Sequence, residues 1–278
     1  MDMNWLESIV YAFVSGFAQF MPVSAQAHEQ ILLRLFGADR AHSLMQLFVH
    51  IGALAALILS SKNQLNRIIR ENRLKKIPKR RRKRQPDPQT ILDLSFVKTA
   101  CIPLLLGFLL YFKTAQWENK LPLSAVFLVL NGLVLHIPMY LSMGNKDSRN
   151  MGRLDALLFG FGGITGILPG MSRVGVTTSI AIARGADTQQ AYKWSLLLSL
   201  PALAAWILFD VISLFAASFT GMGFLFVLQC ILSAGAAYLG TAAAIYFMRF
   251  ITVKAGLYNF SYYCWGAALF AFILYLYT

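Results

Sequence analysis

Six stretches, at roughly 43–60, 96–112, 122–143, 194–217, 222–247 and 256–277, are apolar over the ~20 residues that a helix needs to cross a hydrocarbon core. A backbone in lipid has to satisfy its own N–H and C=O groups. The chain is therefore expected to be an all-α, polytopic integral membrane protein, one membrane domain over residues 1–278. A soluble globular reading is excluded, because only 13% of residues are charged and 57% are hydrophobic, where a soluble domain carries about 25% charged residues. No basic region precedes the first apolar run and Glu7 interrupts it, so no cleavable leader is expected. Four shorter apolar stretches, around 6–21, 29–37, 155–168 and 174–184, are too short to span and are broken by Gly or Pro. They predict two pairs of re-entrant or broken helices, which membrane depth tolerates only where protein or a wet cavity satisfies the backbone.

The formal charge is +13, yet 12 of the 25 basic residues lie between Lys62 and Arg84 with only Glu71 opposing them. This concentration argues against a nucleic-acid-binding face. The rule that Lys and Arg stay in the cytoplasm places there the basic 61–95 loop, the 144–154 loop with Lys146, Arg149 and Arg153, and the 248–255 connection with Arg249 and Lys254. The 113–121 loop, with Lys113 and Lys120 against Glu118, and the uncharged 218–221 turn fall on the outer face, with both termini outside. The run KKIPKRRRKRQPDP is expected to be a solvated stop-transfer loop touching anionic lipid headgroups. Cys101, Cys230 and Cys264 sit singly in apolar runs and read as packing residues.

The two halves also align on each other, at an offset drifting from 147 to 149 residues. Gly16 and Pro22 match Gly163 and Pro169, Gly37-Ala38-Asp39 matches Gly185-Ala186-Asp187, and ALAALIL at 53–59 matches ALAAWIL at 202–208. Repeat one covers roughly 5–60 and repeat two roughly 155–217. The matched spans 43–60 and 194–217 cross in opposite directions by the charge argument, so the repeats are expected to be inverted. In such folds the ligand sits where broken helices meet, facing their N-terminal dipoles. The site is expected where the segments around Pro22 and Pro169 meet.

The first tip reads GFAQFMPVSAQAHE from Gly16, and the second reads GITGILPGMSRVGVTT from Gly163. The second has anion-site chemistry: Gly170 lets the backbone approach, Ser172 and Thr177 donate hydrogen bonds, and the Arg173 guanidinium forks onto phosphate-type oxygens. An arginine in an apolar segment is expensive and points to function. Ser172 and Thr177 are open to a second reading as helix caps. On the first tip, His28 beside Glu29 could act as base, nucleophile or metal ligand. His50 and His136 lie inside full spans and read as structural, Asp210, Asn131 and Gln46 as bonds between helices, and Asp39 and Asp187 as caps.

FMPVS followed by His28, together with LPGMSR-x-G-x-T, resembles the bacitracin-resistance family of undecaprenyl-diphosphate phosphatases. The resemblance covers most of the chain. It implies an interdigitated inverted repeat in the bacterial inner (plasma) membrane, removing a phosphate from undecaprenyl diphosphate at the outer face, with Mg or Ca assisting. It implies Ser172, Arg173 and Thr177, with Gly170 beside them, as diphosphate binders, His28 as nucleophile or base, and Ser24 as a site serine. The chain departs from the family where two acidic residues are expected four apart: these positions hold Ser15 and Gln19, and two further family serines are Ala25 and Val174. Gln19 is kept in the catalytic set, with Glu29 as substitute carboxylate, and no metal ligand is assigned. The expected activity is therefore a phosphatase with a polyprenyl diphosphate substrate, able to form a homodimer. The alternative is a non-hydrolytic polyprenyl-phosphate transporter or binder on the same fold, and a third reading is a transporter for an unrelated anion.

Overall fold

The computed structural model describes residues 3–38, 41–117, 119–141, 144–216, 223–254 and 256–277. Asp39, Glu118 and the 218–221 turn lie outside the described residues. Among the described residues, twelve α-helices run α1 Trp5–Ala18, α2 Ala25–Leu35, α3 Ser43–Ser60, α4 Lys62–Lys76, α5 Pro88–Phe108, α6 Tyr111–Thr114, α7 Leu121–His136, α8 Arg153–Ile164, α9 Arg173–Ala183, α10 Thr188–Ala216, α11 Phe224–Lys254 and α12 Asn259–Tyr277. Six of them, α3, α5, α7 with its continuation to Tyr140, α10, α11 and α12, are long and apolar enough to cross a membrane. They match the six apolar stretches. The four short apolar stretches become α1, α2, α8 and α9, of 11 to 14 residues each.

Three boundaries differ from expectation. The helix expected from residue 96 begins at Pro88, because the Asp87 side chain caps the Thr90 N–H at 3.2 Å and proline suits a first turn. The 61–95 loop is largely helical: α4 takes its first 15 residues, rich in the good helix formers Leu, Arg, Lys and Gln. The 248–255 connection is mostly the last turns of α11.

The basic segment after α4 is clasped back onto it. Glu71, only 1% exposed, accepts from Arg84 Nη2 at 2.5 Å and from the Asp87 N–H at 3.0 Å. Asp87 in turn accepts from Thr90 Oγ1 at 2.6 Å and Arg67 at 2.5 Å. The Arg84 bonds hold the Glu71 carboxyl at about 2, and the Thr90 bond, with Arg67, does the same for Asp87.

Each short hairpin packs on a span from the opposite half of the sequence: α1 lies against α11, and α8 against α5. Both seams are made by glycine. A Cβ at Gly16 or Gly240 would collide with the carbonyls of Ala237 and Phe13, and one at Gly160 with that of Ala100, while Gly52 of α3 meets the Ala234 carbonyl of α11 in the same way, the close approach that small residues permit between membrane helices. Asp93, 2% exposed, accepts from Trp194 Nε1, Lys193 Nζ and Gln190 Nε2 at 2.9, 2.9 and 3.0 Å. That buried carboxylate ties α5 to α10, and Phe96 stacks on Trp194 beside it.

Candidate active site

The turns before α2 and α9 meet, as the paired motifs predict, and they are bonded to one another. Ser24 caps α2 from φ 64°, a left-handed conformation that costs a non-glycine residue roughly 1–2 kcal/mol. Its Oγ accepts from the Gly170 N–H at 3.1 Å. Gly170 itself sits at φ 105° with the Ser124 carbonyl where a Cβ would go, so no other residue fits. Ser172 caps α9, accepting from the Gly175 N–H at 3.1 Å while its hydroxyl donates to the Met21 carbonyl at 2.9 Å. Asn131 of α7 clamps both turns: its Nδ2 donates to the Pro22 carbonyl at 3.0 Å, and its Oδ1 accepts from the Ser172 N–H at 2.9 Å. Asn131 thus does bond between helices. Ser24, Gly170 and Ser172 act here as joinery between the two tips.

A cavity of about 590 Å³ opens where the first turns of α2 and α9 converge. Its lining includes the polar residues Gln19, Gln26, Glu29, Gln30, Gln46, His50, Ser172, Arg173 and Asp210 and the aromatic residues Tyr111, Phe112, Trp206 and Phe209. Arg173 is 7% exposed, and its Nε and Nη2 are buried without a partner. Gln26 Oε1 and Gln30 Nε2 are orphaned in the same way, although Gln30 Oε1 accepts from Ser124. An unsatisfied buried polar atom costs about 1–3 kcal/mol, more on a charged group. Three of these atoms are donors, Arg173 Nε and Nη2 at the first turn of α9 and Gln30 Nε2 on α2, and together around one cavity they describe a receptor for an anion.

The remaining expected residues divide. Glu29 does turn inward: it lines the cavity and accepts from the Ser15 hydroxyl, so its carboxylate stands against one of the two positions where an acidic residue is missing. Gln19, the other, lines the same cavity. Thr177 does not; fully buried, it bonds back to the Arg173 carbonyl at 2.8 Å and to Ser195 Oγ at 2.7 Å, holding the first turn of α9 to α10. His28 faces away. Its Nδ1 pairs with the Ser24 carbonyl at 2.7 Å and its Nε2 with the Tyr263 hydroxyl at 2.7 Å, the two rings stacked. It borders a separate, apolar cavity of about 460 Å³ with Phe13, Phe17, Met21 and Phe260.

His50, expected to be structural, is in the polar cavity instead, with Nδ1 bonded to Asp210 Oδ2 at 2.6 Å. That bond joins α3 to α10, the interhelical role expected of Asp210. Gln46 lines the cavity as well. His136 bonds Ser261 of α12 at 3.0 Å, in keeping with a structural part, and Asp187 caps α10 by accepting from the Gln190 N–H. A signal for His50 and Asp210 existed: each is an ionisable residue inside one of the two repeat-matched spans, where such residues are functional by default.

Among the described residues no three His, Cys, Asp or Glu side chains gather as metal ligands. The cavity offers Glu29, already held by Ser15, and Asp210, already held by His50. This donor set does not make a cage for a resident Mg or Ca ion, which wants several oxygen ligands, and no step is assigned to one.

The model of the bacitracin resistance protein BacA family matches residues 8–270. Similar curated proteins include an undecaprenyl-diphosphatase of Carboxydothermus hydrogenoformans, 30% identical over 95% of this chain and 94% of that protein. One of Methanobrevibacter smithii is 29% identical over 98% of each chain, and undecaprenyl-diphosphatase 3 of Bacillus cereus is 26% identical over 98% of each. With a family model matched over nearly its whole length and relatives aligned end to end, this chain belongs to the bacitracin resistance protein BacA family.

Proposed function

We propose that this protein is an undecaprenyl-diphosphate phosphatase: it hydrolyses a polyprenyl diphosphate to the monophosphate within a multi-pass membrane domain. The observation that carries the reading is the buried, unpartnered guanidinium edge of Arg173 at the N-terminus of α9, opposite the N-terminus of α2 in one cavity. A diphosphate satisfies that edge and the orphaned Gln30 Nε2 donor together. The apolar lining suits the rest of the substrate, since Phe112 and Ile212 line the cavity and are 63% and 46% exposed, offering a prenyl chain an apolar path outward. Family membership and the names of the relatives point the same way.

The cavity includes Ser43 at the start of α3, while the basic α4 follows the end of that helix. This separation supports a basic segment in the cytoplasm against anionic headgroups and a cavity at the outer face of the plasma membrane. Packing of each short hairpin on a span of the opposite half supports interdigitated, inverted repeats.

The test is phosphate release from undecaprenyl diphosphate by purified protein in detergent, with and without Mg or Ca, beside Arg173→Ala. Release by the wild type that disappears in the variant is expected. Tight lipid binding without release would overturn the phosphatase reading and leave a carrier.

A further inference from the structure

We propose that His50 is the base that activates the hydrolytic water, with Asp210 as its positioning residue. This rests on the phosphatase reading, and the residues come from two spans that carry neither tip motif. His50 Nδ1 is committed to Asp210 Oδ2 at 2.6 Å, which fixes the tautomer and leaves Nε2 as the nitrogen available to the cavity. The ring lies over Trp206 at 6.0 Å between centroids and 20° between planes, so its orientation is held from two directions. Arg173 lines the same cavity, where a diphosphate bound to its guanidinium places the terminal phosphorus within the space that His50 borders. His28, with both ring nitrogens engaged and on the other cavity, does not offer this.

The step balances without a co-reactant. Nε2 takes a proton from water as its oxygen attacks the terminal phosphorus. The bond from that phosphorus to the bridging oxygen breaks, and the electron pair leaves with the polyprenyl monophosphate. The proton on His50 then passes to a departing phosphate oxygen, which restores the neutral imidazole. The charged groups facing His50 are Asp210 from α10, Glu29 from α2 and Arg173 from α9. Arg173 offsets charge on the leaving group, and Glu29 stands where it can hold the water.

The experiment measures phosphate release and binding of undecaprenyl diphosphate in detergent for wild type, His50→Gln, His50→Ala, Asp210→Asn and Asp210→Glu. General-base catalysis is worth about 100- to 10,000-fold, so His50→Gln is expected to lose at least about 100-fold in kcat while binding stays within a few-fold. Added imidazole is expected to restore part of the turnover of His50→Ala, which it would not do for a misfolded protein. Asp210→Asn should lower kcat with little change in KM, and Asp210→Glu should recover part of the loss. An active wild type with His50→Gln within about tenfold of it in kcat overturns the assignment. A wild type without any release overturns the phosphatase reading along with it.

Discussion

Two cavities flank the α1–α2 hairpin and share Ala18 as a border, yet they differ in what they leave unsatisfied. The larger holds an arginine with two unpaired nitrogens and two glutamines with one orphaned atom each. The smaller is lined by Phe13, Phe17, Met21, Val23 and Phe260, and its histidine has a partner on each ring nitrogen. Unspent hydrogen-bonding capacity is what a polar ligand is bound with. The difference teaches that not every motif residue faces the polar space: His28 and Arg173 both carry the resemblance, yet His28 borders the apolar cavity while Arg173 lines the polar one beside His50, which belongs to neither motif.

The comparison can be broken most directly by Arg173→Ala. Removing a charged donor aimed at an oxyanion typically costs about 100- to 1,000-fold, and here both binding and phosphate release are expected to fall by at least that much. Titration of undecaprenyl diphosphate against the variant checks it, and retained affinity would remove the anion receptor. His28→Gln is expected to stay within about tenfold of wild-type turnover while losing roughly 1 kcal/mol of stability through the Tyr263 bond; phosphate release and thermal melting in detergent report the two. A collapse of turnover as deep as that expected for His50→Gln would show that the smaller cavity takes part in chemistry. Gln19→Glu sharpens the contrast by adding a second carboxylate beside Glu29, which a hard cation prefers. A gain of a few-fold that appears only with Mg or Ca is expected, read from release against metal concentration.

The smallest effect lies outside both cavities. Glu71 and Asp87 ionise near 2, below their ordinary range. The stability they contribute is present above the unfolded carboxylate range and is lost as pH falls through about 2. Glu71→Gln should loosen the clasp at neutral pH and speed exchange of the Asp87 amide, which donates to Glu71, with little change in turnover. Unchanged protection of that amide would show that the clasp does not depend on the Glu71 charge.

The six spans were legible because a ~20-residue apolar run has so few other solutions, and the meeting of the tips followed from the Pro22 and Pro169 match. Arg173 was legible for a related reason, since a guanidinium in an apolar segment is costly. The orientation of His28 was not, because which face of α2 turns to which neighbour depends on Tyr263, 235 residues away. His50 and Asp210 each carried the signal of an ionisable residue in a span, but their pairing, across 160 residues, did not show in the sequence. The helicity of 62–76 was hidden by its charge, which local composition reads as loop while the Glu71 and Arg84 pairing favours order.

The glycine seam of α11 against α1 and α3 has a consequence for how the molecule works. Where backbones touch, no flexible side chains lie between them to absorb sliding, so any rearrangement that separates these three helices has to break close backbone contacts. A carrier that rocks one half past the other would have to shear that seam, one bond of which runs from Thr241 to the Gly16 carbonyl at 2.9 Å. A still frame of this kind would leave the motion to the substrate and not to the two halves of the protein.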